Sequence, residues 1–98
     1  MTEPLPLLET EIRSLLDRPA DTGSAARQLV EQTLTDGYAH ALQLDGERLR
    51  AERRLRELVR TEGASAPAID AAAREVAEVD RELARLRALL STLRTHAL

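Results

Sequence analysis

Arginine is the side chain in this sequence with the clearest capacity for chemistry. Residues 48–60 hold six Arg and two Glu. Guanidinium groups bind phosphates and carboxylates through paired hydrogen bonds, so a helix carrying six of them could follow a nucleic-acid backbone or an acidic protein surface. Glu47, Glu52 and Glu57 are interleaved at helical spacing, however, and the net charge of the chain is −3. We therefore favour pairing within the chain or a solvated face, with an anionic partner as the alternative. The candidates for such a contact are Arg50, Arg53, Arg54 and Arg56.

The remaining reactive side chains do not form a catalytic or metal-binding pattern. His40 follows Asp36 by four residues, a spacing that suits two ligands on one helix face, but two groups do not make a metal site and no Glu-x-x-His pair occurs. The serines lack a neighbouring His or Lys that would activate them, and the sequence has no Gly-rich phosphate loop. The sequence therefore predicts no enzyme activity, no metal and no cofactor, with His40 as a surface or interface residue.

The amino-acid composition indicates long helices and excludes several kinds of chemical site. Of the 98 residues, 18 are Leu, 16 Ala, 14 Arg and 11 Glu, which is typical of long helices or coiled coils. No Cys is present, so a disulfide scaffold and a thiolate metal site are excluded. Tyr38 is the only aromatic residue, which excludes a platform of aromatic rings for stacking bases.

Two stretches rich in Pro, Gly, Ser and Asp divide the chain into three helices. Loops are predicted at 19–24 and 62–67. The helices then span about 6–17, about 24–61 with Ser24 as the N-cap, and about 67–95. Together they are expected to form one all-α domain.

The third helix has the regular apolar pattern of a coiled coil. From Ile69 to Leu93 its apolar residues follow alternating steps of three and four without a polar interruption. A short loop at Gly63 allows only an antiparallel return, in which facing positions on the second and third helices sum to about 127. Large residues then meet small ones, for example Leu90 opposite Gly37. The predicted hairpin core consists of Val30, Leu34, Ala41, Leu44, Leu55, Ile69, Val76, Val79, Leu83, Leu86, Leu90 and Leu93.

The charge pattern favours the same orientation. The basic residues 48–60 come to lie beside the acidic beginning of the third helix. Acidic residues of the second helix lie near the basic end of the third helix. Exposed pairs of this kind contribute about 0–1 kcal/mol each, so they select an orientation more than they stabilise it. Arg48 is the one charged residue in the predicted seam, and its long side chain is expected to reach toward Asp80.

The hairpin leaves a second apolar stripe on the long helix. Tyr38, Leu42 and Leu49, with Gly46 between them, point away from the predicted seam. Either the short first helix covers this stripe or a second copy of the chain does, because exposed apolar patches usually mark interfaces. The glycines at 37 and 46 would permit close backbone approach or are simply tolerated. The residues predicted for self-association are Tyr38, Leu42, Leu49 and Leu89, with Leu8, Ile12 and Leu15 on the covering helix.

These patterns predict an antiparallel, coiled-coil-like helical hairpin with a short N-terminal helix, completed to a bundle by self-association. The expected function is a protein–protein interaction module, such as an adaptor, scaffold or regulatory subunit, that forms a homodimer or a higher oligomer. A nucleic-acid-associated regulator is the alternative. No basic leader precedes an apolar run, and no run approaches the roughly 18 apolar residues of a membrane span, so a cytoplasmic protein is expected.

Overall fold

Three helices make up the computed structural model, which describes residues 5–17 and 23–97. They are α1 (Leu5–Asp17), α2 (Ser24–Arg60) and α3 (Ala66–Ala97). The described part of the chain contains no strand. The molecule is a rod with principal extents of 61 × 21 × 19 Å. The three predicted helices are present, each within two residues of its expected bounds, and the first predicted loop lies mostly outside the described residues.

The helix ends explain these boundaries and correct one prediction. Ser65 caps α3, since its Oγ accepts a hydrogen bond of 3.2 Å from the backbone N–H of Ala68. Ser24, predicted as the N-cap of the second helix, is instead its first helical residue. The cap position is Gly23, whose backbone is extended and which offers no side-chain hydrogen bond. Glycine is itself acceptable at this position, so the neighbouring Ser did not decide the boundary.

α2 and α3 form the predicted antiparallel hairpin. The turn between them contains Gly63 at φ = 85°, a left-handed conformation that glycine adopts without a steric penalty. Gly37 lies against the Leu90 side chain, so closely that a methyl group at 37 would overlap it. This contact matches the predicted sum of 127, and the ion pair of Arg54 with Glu75, whose positions sum to 129, agrees with it to within two residues near the turn.

At one end of the rod, which we call the bundle end, three helices surround the core. It comprises α1, residues 24–44 of α2 and residues 83–97 of α3. Its buried apolar cluster draws on all three helices. The cluster consists of Leu8, Ile12, Leu15, Ala41, Leu44, Leu83, Leu86, Leu90 and Leu93, with Leu5, Leu16, Val30, Leu34 and Leu89 half-buried against it.

The other end, which we call the stem, has only two helices. It comprises residues 45–60 of α2, the turn, and residues 66–82 of α3, all of them described by the structure. Only Ala51 and Ala72 are buried there, at 1% and 8% exposure. The larger residues predicted for this part of the core are half-buried, because two helices meet along one line and leave water on both sides. They are Leu55, Ile69, Val76 and Val79.

Candidate self-association surface

A line of exposed apolar side chains runs along α2 on the side turned away from the core. Tyr38, Leu42 and Leu49 expose 48%, 74% and 53% of their surface, and Gly46 lies between the two leucines. Their spacing of four and seven residues puts them on one helix face. We call these four residues the outer stripe. Within the described chain nothing covers it, and Leu42 is the most exposed large apolar residue.

α1 packs on a different side of α2, so it does not cover the outer stripe. A shallow groove between the two helices has Leu29 and Thr33 of α2 along one side and residues 10–15 of α1 along the other. Glu9 of α1 accepts a hydrogen bond from Arg85 Nε of α3 at 3.1 Å. These contacts place α1 over the α2–α3 seam at the bundle end. Of the two covers considered from the sequence, the short helix is therefore excluded.

This placement divides the residues predicted for self-association into two groups. Leu8, Ile12 and Leu15 are 0%, 0% and 8% exposed, so their side chains are already used inside the chain. Leu89 is half-buried against the same core. Of the residues predicted for self-association, those that stay exposed are Tyr38, Leu42 and Leu49. The amphipathic pattern of the first helix showed that it buries one face, but it did not show against what.

The arginine-rich stretch is also divided by the structure. Arg54 pairs with Glu75, and Arg48 lies 3.6 Å from Asp80 Oδ1, as its predicted reach requires. Asp45 and Glu52 lie at 3.6 and 3.7 Å from the same guanidinium group, so Arg48 is surrounded by three carboxylates. These two arginines join the two helices of the stem.

The other four arginines of the stretch are exposed and form no ion pair with any residue of 5–17 or 23–97. We call them the arginine row, and they are Arg50, Arg53, Arg56 and Arg60. Arg54, one of the predicted anion contacts, is paired with Glu75 but still exposes 53% of its side chain. Arg60, which was not in the predicted set, is exposed like the other members of the row. The signal for Arg60 was present in the sequence, since steps of four, three and four lead from Leu49 through Arg53 and Arg56 to it. The outer stripe thus continues directly into Arg53, Arg56 and Arg60 of the arginine row.

The remaining polar groups show no arrangement suited to a metal. Asp36 accepts a hydrogen bond of 3.2 Å from Gln32 Nε2, and His40 is half-buried on α2. Across residues 5–17 and 23–97, His, Asp and Glu side chains form no group of three or more that could hold a metal ion. The polar residues that line the groove between α1 and α2 are Thr10, Ser14, Thr33 and a single acid, Glu11, so its lining does not supply a pair of acids.

Comparison with known proteins adds nothing to this geometry. No protein-family model, curated protein or solved structure matches the chain. Among the described helices, none is both long enough and apolar enough to cross a membrane. The outer stripe and the arginine row are therefore the features from which a function can be argued.

Proposed function

We propose that the chain is a small helical protein–protein interaction module that self-assembles through the outer stripe. One observation carries the proposal: Tyr38, Leu42 and Leu49 lie in line on a rigid helix, each about half exposed or more, and neither α1 nor α3 covers them. Large apolar side chains that are exposed singly are ordinary, whereas a contiguous row of them usually marks an interface. Its role would be that of an adaptor, scaffold or regulatory subunit in the cytoplasm, with no catalytic step.

The total surface of the monomer is in keeping with a missing partner. Folded monomers of this mass expose about 5,500 Å² on average, whereas this chain exposes 6941 Å². The excess of roughly 1,400 Å² per chain is larger than the roughly 800 Å² that each partner contributes to a standard protein–protein interface. The rod is long and thin, and a second rod lying along α2 would cover part of this surface.

Two leucines offer the direct test. The double variant L42E/L49E puts two carboxylates into the proposed interface, where burying them unpaired is strongly unfavourable. Light scattering at about 50 μM should give twice the monomer mass of 10.8 kDa for the native chain and the monomer mass for the double variant. Helix content by circular dichroism should not change, because both residues are exposed within the chain.

A matched control is available on α1. Leu7 is 56% exposed, nearly the same as Leu49, and lies outside the outer stripe. The variant L7E should therefore keep the dimer mass. A native chain that remains monomeric at this concentration contradicts the proposal, and a double variant that remains dimeric shows that another face makes the contact.

One observation favours a second candidate function, binding to nucleic acid. The arginine row is an exposed series of guanidinium groups of the kind that binds a phosphate backbone. If this is the function, the variant R53A/R56A should lose binding to duplex or single-stranded oligonucleotides without any change in oligomeric state. The affinity of the native chain should also fall steeply with salt. No gel shift at about 150 mM salt would reject this candidate.

A further inference from the structure

The outer stripe continues in both directions along α2 with a symmetric spacing. Toward the N-terminus, steps of three and four lead from Tyr38 to Thr35 and then to Glu31, both exposed. Toward the C-terminus, the stripe reaches Arg53, Arg56 and Arg60. Leaving out Gly46, which has no side chain, the full series of side chains is 31, 35, 38, 42, 49, 53, 56 and 60, with successive intervals of 4, 3, 4, 7, 4, 3 and 4. These intervals read the same in both directions, about a midpoint between Asp45 and Gly46.

We propose that two copies of the chain pair antiparallel along α2, with a two-fold axis passing between positions 45 and 46. This inference rests on the proposed self-association and specifies its partner, orientation and register. In an isologous contact of this kind, the residue numbers of two facing positions, one from each copy, add up to a fixed value, which is 91 here. Every member of the series then faces another member, and none faces a residue outside it.

The chemistry of the facing residues is complementary. Leu42, which is 74% exposed, faces the partner's Leu49, which is 53% exposed, at the centre, so each leucine would cover the other. Tyr38 faces the partner's Arg53, a pair that allows a guanidinium group to stack on the aromatic ring. Farther out, Glu31 faces the partner's Arg60 with opposite charge.

Parallel pairing of the same faces would be unfavourable. Each of these arginines would face its own counterpart in the other copy, so that six guanidinium groups come together without a carboxylate partner from the described chain. The arginines are Arg53, Arg56 and Arg60. The antiparallel arrangement places these three arginines beside the other half of the partner's series, which carries tyrosine, threonine and glutamate. Like-charge repulsion therefore selects the orientation, while the leucines supply the contact.

Gly46 fits the centre of this arrangement. A methyl group at 46 would meet only Arg50 Nη1, at 3.4 Å, so the outward side of the helix is open there. Without a side chain at this position, the two α2 backbones can approach closely at the axis. Gly37 has a different role, because Leu90 of the same chain fills the space above it.

Disulfide trapping tests the register, and the absence of native cysteine makes the background clean. Two single variants, T35C and R56C, are mixed and oxidised. Positions 35 and 56 share one level in the antiparallel dimer, whereas in a parallel dimer they are 21 residues apart, or about 31 Å. Because a disulfide requires Cα atoms within about 7 Å, only the mixed T35C–R56C product should form, at ten-fold or greater excess over both symmetric products. Intact mass spectrometry distinguishes the three products.

The possible products correspond to different arrangements of the two chains. The mixed disulfide supports the inference. Symmetric T35C and R56C products show a parallel dimer, which overturns the inference while the proposed self-association stands. A native dimer in which no product forms shows another register or face, which also overturns it, and a monomeric native chain contradicts the proposed function itself. The variant R13C, at an exposed position of α1, is the control and should give no product with T35C.

Discussion

Both ends of the rod contain α2 and α3, but they reach very different degrees of burial. At the bundle end, Leu86 and Leu93 are completely buried, and Leu83 and Leu90 are 2% and 1% exposed. In the stem, which the structure describes throughout, no leucine is buried and the only covered side chains are those of alanine. The heptad pattern of α3 continues through both ends without a break, so periodicity alone does not set burial. What sets burial is α1, which closes one of the two open sides of the α2–α3 seam at the bundle end.

Each end therefore depends on a different kind of interaction. The bundle end depends on large apolar side chains, whose burial contributes about 1.5–3 kcal/mol each. The stem depends on close contact at small residues and on ion pairs such as Arg54 with Glu75, which contribute about 0–1 kcal/mol each. We therefore expect the stem, which also carries the arginine row, to be the less stable part of the molecule.

The largest difference between the two ends should come from leucine truncation. Leu86→Ala removes a completely buried side chain and should lower the free energy of unfolding by roughly 2–5 kcal/mol. Leu55→Ala, in the half-buried seam of the stem, should lower it by less than about 2 kcal/mol. Urea denaturation at one fixed protein concentration measures both values. Equal losses would show that the stem is as well packed as the bundle end, and a neutral L86A would show that the hairpin register is wrong.

Overfilling the stem should give a smaller effect. Ala51 is 1% exposed and lies in the helix contact, so Ala51→Leu forces α2 and α3 apart at that level and should destabilise by about 1–3 kcal/mol. Ala73→Leu, at an exposed position on the neighbouring helix, is the control and should change stability by less than about 0.5 kcal/mol. The thermal midpoint is a sufficient measurement. If A51L is as stable as the control, the stem has no tight contact at this position.

The smallest effect should separate the two glycines of α2. Replacing glycine by alanine in a helix contributes up to about 1 kcal/mol of stability. Gly46→Ala should show this gain, whereas Gly37→Ala should lose about 1 kcal/mol because the added methyl group overlaps buried Leu90 and overpacks the core. Both substitutions are made in the L42E/L49E background, so that a change in self-association does not enter the measured stability. Gains at both positions would mean that Leu90 moves aside freely.

The hairpin could be predicted from the sequence because its determinants are local and mutually consistent. The heptads of α3, the breaker residues at the turn and the segregated charges all indicate one register, and the contact of Gly37 with Leu90 confirms it. The position of α1 could not be predicted in the same way. Its apolar face fits any apolar surface of similar width, and α2 presents two such surfaces.

From the sequence alone, two covers of the candidate surface were therefore possible, α1 or a second copy of the chain. The pattern identified Tyr38, Leu42 and Leu49 but could not show whether α1 covers them. The half-burial of the stem residues was also missed, because a one-dimensional pattern shows which side chains face a partner helix and does not show how many helices surround them. Thr33, buried at 2% beside α1, carries no apolar signal at all.

The position of α1 also has a consequence for the order in which the chain folds. The contact of Arg54 with Glu75 spans 21 residues of sequence, whereas that of Glu9 with Arg85 spans 76. Closing the longer loop costs about 1 kcal/mol more in chain entropy. We expect α2 and α3 to pair first, starting at the turn around Gly63, and α1 to dock last. α1 is synthesised before α3 but docks only once α3 is in place, so we expect the most deeply buried part of the molecule to close last.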